Sequence, residues 1–67
     1  MISSKVSEIM KDKGMTYEAI QKATGLSPQT VARARGPRIG TCTLNTLAAI
    51  AGALGVRTKD LYEESDG

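Results

Sequence analysis

The stretch Thr16 to Arg35, TYEAIQKATGLSPQTVARAR, decides the fold. It holds two helical segments, each with its own start and stop. Thr16 is a hydroxyl N-cap and Glu18 sits in the first turn, where a negative charge favours the helix dipole. Ala19, Ile20 and Ala23 then fall at helical spacing on one face. Gly25 ends the segment, because glycine enters the left-handed backbone at no steric cost. Ser27 caps the second segment and Pro28 takes its first helical position, where the missing N–H would have no partner anyway. Val31 and Ala34 point inward, and Gly36-Pro37 stops the helix. Ile20, Leu26 and Val31 are apolar where two helices joined by so tight a turn must pack. Pro28, Gln29, Ala32 and Arg33 are left outward near the start of the second helix. That pattern is a helix-turn-helix, whose second helix places its N-terminal part in the DNA major groove.

Reading outward, Ser3 or Ser4 caps a first helix, with Ile2, Val6, Ile9 and Met10 on one face and Gly14 closing it after Lys13. The segment GPRIGTC, with two glycines and a proline, reads as a loop. Thr43 caps LNTLAAIAGALG, a segment apolar nearly all round, which predicts a central buried helix closed by Gly55. Thr58 starts a short fifth helix that returns Leu61 and Tyr62 to the core. The tail, residues 63–67 (EESDG), reads as polar and frayed. The expectation is one all-α domain over residues 1–67, a compact five-helix bundle with its motif at about 16–35.

Composition narrows the chemistry. The 67 residues include no His, Phe or Trp and one cysteine, Cys42. No His/Cys zinc cluster and no Ser-His or Cys-His pair can be assembled, so neither metal, cofactor nor enzyme activity is expected. Cys42 cannot form an internal disulfide and reads as a small loop residue. No run is long enough to cross a bilayer and the N-terminus is not a signal peptide, so a soluble, cytoplasmic protein with no membrane partner is expected. The net charge is only +2, but its distribution is uneven. Between Ala19 and Lys59 there is no Asp or Glu, while Lys22, Arg33, Arg35, Arg38, Arg57 and Lys59 all lie there. A basic middle between acidic ends suits one positive surface facing a polyanion, although an ordinary solvated surface can show the same run.

Together, KDKG at the end of the first helix, ATGLSPQTV in the motif, the loop after Gly36, and TLNTLAAIAGALGV leading to KDLY resemble the Cro and lambda-repressor family. The resemblance covers roughly residues 4 to 62. It implies a five-helix fold, operator binding as a dimer and no enzymatic activity. The chain departs from the family at Tyr17, where Gln is usual, at Gln21, where a small Ala is usual, and at Ala34-Arg35, where a bulky apolar residue and Glu are usual.

Roles follow for individual side chains. Gln29 and Arg33 are four apart and share a helix face; Gln can bond adenine N6 and N7, and Arg can fork onto guanine O6 and N7. By resemblance Ser27 touches a phosphate or base edge and Pro28 packs on a thymine methyl, roles compatible with capping and helix initiation. Thr16 and Tyr17 open the second helix, whose free N–H groups suit a phosphate. The Tyr17 hydroxyl can reach that phosphate, or its ring can fill an aromatic-poor core. Thr30 lies beside the groove wall, and Arg35, Arg38 and Thr41 lie where the family's loop approaches the DNA backbone. These are phosphate candidates, which position the protein without reading sequence. On the fourth helix Asn45, Ala49, Gly52 and Val56 share a face of mostly small residues, a candidate dimer contact.

The expectation is a sequence-specific repressor that binds double-stranded DNA as a homodimer on a palindromic operator. No small-molecule ligand is expected, since five helices account for nearly the whole chain. Control would then come from the protein's own concentration. The rival reading is a protein-interaction module such as the antitoxin of a toxin–antitoxin pair, which needs a toxin-binding segment that the sequence hardly spares.

Overall fold

The computed structural model describes residues 1–66. The elements run β1 (Ile2–Ser4), α1 (Val6–Lys13), α2 (Tyr17–Thr24), α3 (Pro28–Arg35), a 3-10 turn (Ile39–Thr41), α4 (Leu44–Leu54), a second 3-10 turn (Thr58–Leu61) and β2 (Tyr62–Glu64). Four helices carry the fold, and the fifth expected from the sequence is the short turn Thr58–Leu61. That segment is only four residues long, and both flanks, Arg57 and Tyr62, are extended. It has no length in which to propagate a helical ladder.

The chain ends hold the second difference. Ile2, Ser3 and Ser4 pair antiparallel with Glu64, Glu63 and Tyr62. Hydrogen bonds between Met1 and Ser65 extend the ladder, with the Ser65 N–H donating to the Met1 carbonyl at 2.8 Å. Thus Glu63 and Glu64, read as a frayed tail, form a strand, while Gly67 lies outside the described residues. Ile2 belongs to that sheet and not to the face of α1. Neither Ser3 nor Ser4 is the N-cap of α1; that position is Lys5, which makes no side-chain cap bond. Ser4 still serves the helix start, because its Oγ accepts from the Val6 N–H at 3.2 Å. The same hydroxyl donates to the Ala34 carbonyl at 2.6 Å, tying β1 to the end of α3.

The core is wholly apolar. Val6 and Met10 of α1, Ile20 of α2, Val31 and Ala34 of α3, and Leu47, Ile50, Ala51 and Leu54 of α4 meet Ile39 and Leu61 from the two 3-10 turns. Each fully buried Ile or Leu contributes about 1.5–3 kcal/mol relative to an exposed one, so these few side chains carry most of the fold. Ile39 corrects the reading of GPRIGTC as a plain loop, for its side chain is a buried anchor directly behind α3. Ala23, placed by the spacing on the apolar face of α2, is exposed instead. The α4 segment is central as expected, but only one side is covered: Leu44, Ala48, Ala49 and Gly52 face outward. No helix among the described residues is long and apolar enough to cross a membrane.

Candidate nucleic-acid interface

The surface is built by the turn between α2 and α3. Gly25 takes φ +73°, the left-handed conformation, and its N–H donates to the Gln21 carbonyl at 2.8 Å. Thr24 tightens the corner: its hydroxyl donates to the Ile20 carbonyl at 2.7 Å and accepts from the Leu26 N–H at 3.2 Å. Leu26 then packs against the core to which α2 contributes Ile20 and α3 Val31 and Ala34. Ser27 caps α3 as expected, accepting from the Thr30 N–H at 3.3 Å, and Pro28 starts the helix.

With Val31 and Ala34 buried, the opposite side of α3 is bare. Pro28, Gln29, Ala32, Arg33 and Arg35 are all exposed. The start of α2 joins this surface through a shallow cleft lined by Tyr17, Glu18, Gln21, Pro28 and Ala32. Glu18 and Gln21 are cleft residues to which the sequence assigned no such place. Their only sequence signal is a register one helical turn apart on α2, which becomes meaningful once α3 is set against it. Thr16 caps α2 through its hydroxyl, which accepts from the Ala19 N–H at 3.2 Å, and it is exposed.

A match to a family model settles what this surface belongs to. Residues 5–66 match the Cro/C1-type HTH DNA-binding domain. The chain belongs to this family of DNA-binding helix-turn-helix domains. No curated protein and no solved structure shows a significant match to it.

As a Cro/C1-type domain, the molecule is a DNA-binding regulator of transcription, and its charges can be read accordingly. Among the described residues the ion pairs all belong to Lys5, to Glu8 at 3.7 Å and to Glu63 at 3.2 Å. Hydrogen bonding to Glu63 and the charges of Glu63 and Glu8 raise the Lys5 pKa above its ordinary value of 10.5. Arg33, Arg35 and Arg38 have no carboxylate partner within 4 Å among the described residues, so their N–H donors stay open. The basic run seen in the sequence does not map onto a single face. Lys59 lines a separate groove with Glu8, Asp12, Asp60 and Glu63.

Each phosphate candidate has its own setting. Arg38 and Thr41 are exposed at the first 3-10 turn, which packs against α3. The Thr41 hydroxyl donates to the Arg38 carbonyl at 2.7 Å, so a phosphate would have to compete for that proton. The half-buried Thr30 shares its hydroxyl with Ser27 at 2.9 Å in the cap of α3. Tyr17 packs against the core, as one of its two readings expects, and the Arg35 guanidinium carbon lies over its ring, 4.3 Å from the centroid.

Proposed function

We propose that this DNA-binding domain is a Cro-like repressor that reads a palindromic operator as a homodimer. The observation that carries this reading is the bare outer face of α3, with Gln29 and Arg33 exposed four residues apart and no acid paired with the arginine. Gln29 and Arg33 read base edges, Ser27 and Pro28 meet the groove at the helix tip, and Thr16, Thr30, Arg35, Arg38 and Thr41 fix the domain on phosphates, with the Tyr17 ring beside Arg35 at the start of α2. A domain of this size covers a few base pairs, and a two-fold dimer supplies a second α3 one helical turn away. Asn45, Ala49 and Gly52 are exposed on α4 and support a dimer contact there, whereas Val56 packs toward the core. A methyl group at Gly52 would meet nothing within 4 Å, so the molecule's own packing does not require that glycine.

Selection from a random duplex pool, followed by light scattering of the complex, tests the proposal. The expected outcome is an enriched palindrome with half-sites about one helical turn apart, bound by two chains. Enrichment of a single half-site bound by one chain would remove the dimer. Absence of any enriched sequence would remove operator reading and direct attention to a protein partner.

A further inference from the structure

The Tyr17–Arg35 contact joins two positions at which the sequence departs from the residues usual in the Cro and lambda-repressor family. Arg35 is two residues from Arg33, hence about 200° around α3 from it. It falls in line with Pro28, seven residues before it, on the flank of α3 that borders the cleft with Tyr17. There the guanidinium carbon lies over the Tyr17 ring of the neighbouring helix, 4.3 Å from its centroid. Stacking uses the face of the guanidinium and leaves the N–H donors in its plane free. No carboxylate among the described residues takes up those donors, and Arg35 is exposed.

We propose that Tyr17 is a positioning residue for DNA binding: its ring, and not its hydroxyl, holds Arg35 in place to contact a backbone phosphate beside the start of α2. This rests on the DNA-binding reading above. The two chemistries separate cleanly. A hydroxyl donor is removed by Tyr17→Phe, which keeps the platform. The platform is removed by Tyr17→Leu, which keeps an apolar edge for the core. Tyr17→Met removes it as well, with a different apolar chain in the ring's place.

The experiment measures affinity for the selected duplex and for a scrambled duplex of equal length, across a salt series. Tyr17→Phe is expected to bind like the wild type. Tyr17→Leu weakens both duplexes alike by about threefold, the worth of an exposed cation–π contact, and keeps the salt slope. Arg35→Ala weakens both further and lowers the salt slope by about one, the signature of a lost phosphate contact. Tyr17→Leu added to Arg35→Ala costs nothing more, because the platform has no guanidinium left to hold. Should Tyr17→Leu fail to fold, Tyr17→Met takes its place, with a loss near threefold and an unchanged slope. Equal loss in Tyr17→Phe and Tyr17→Leu, additive losses in the double variant, or wild-type affinity in Arg35→Ala would each overturn the proposal. If the wild type binds neither duplex, the DNA-binding reading itself fails, a result distinct from binding that ignores these variants.

Discussion

Helices α3 and α4 begin almost alike and end up doing different work. One opens Ser27-Pro28-Gln29-Thr30, the other Thr43-Leu44-Asn45-Thr46. In both, the capping hydroxyl accepts from the N–H three residues on, at 3.3 and 3.2 Å. In both, it also meets the hydroxyl of that residue, at 2.9 and 3.0 Å. They diverge after the cap. The α3 helix buries only Val31 and Ala34 and carries two exposed arginines, whereas α4 buries Leu47, Ile50, Ala51 and Leu54 and carries no charge at all. Matching caps therefore say where a helix begins and nothing about its task. The task follows from what remains uncovered once the inner face is packed.

Ile50→Ala strikes the structural side of this contrast and should have the largest effect. Ile50 is fully buried in α4, and such a truncation costs about 2–5 kcal/mol. In so small a domain that is much of the total stability, so urea melts should show a sharp loss and DNA binding should fall with the folded fraction. Arg33→Ala strikes the other side. It should remove about 1–3 kcal/mol of discrimination at one base position while leaving the melt unchanged. A uniform loss across all sequences would instead make Arg33 a phosphate contact.

The paired caps sharpen the comparison further. Ser27→Ala and Thr43→Ala should each lower stability by about 1 kcal/mol. Only Ser27→Ala should also weaken DNA binding beyond what its stability loss explains. Equal binding by the two variants would place the tip of α3 outside the interface. The smallest effect belongs to Lys5, which joins α1 to β2 on the surface. Its raised pKa means that its contribution is complete below 10.5 and disappears as pH climbs through the raised value. Lys5→Gln should therefore flatten the pH dependence of melting above 10.5 and change little at neutral pH, where salt screens an exposed pair.

The helical parts of this fold were legible because their signals are local. Thr16, Ser27 and Thr43 cap as their positions suggest, and Gly14, Gly25 and Gly55 all take positive φ at helix ends. The bare face of α3 was legible too, since Val31 and Ala34 fix the helix's rotation. What escaped is non-local. The pairing of Ile2–Ser4 with Tyr62–Glu64 joins opposite chain ends, and neither three-residue segment announces a strand alone. The Ser4–Ala34 bond spans thirty positions. Ile39 escaped because its glycine- and proline-rich surroundings predict a loop, although one apolar side chain in such a loop is enough to anchor it. The Tyr17–Arg35 stack depends on the crossing of two helices, which side-chain spacing within either helix does not specify.

Titration of the isotopically labelled protein with its selected duplex, followed by amide chemical shifts, tests most directly whether α3 and not α4 is the reading helix. The account predicts the largest shifts at Gln29, Thr30 and Arg33, with smaller ones at Tyr17, Arg38 and Thr41. Shifts on the outer face of α4, at Asn45, Ala49 and Gly52, should be modest and report the second subunit. Shifts concentrated at Leu44, Asn45 and Ala48, with Gln29 and Arg33 unmoved, would instead make α4 the helix that meets DNA.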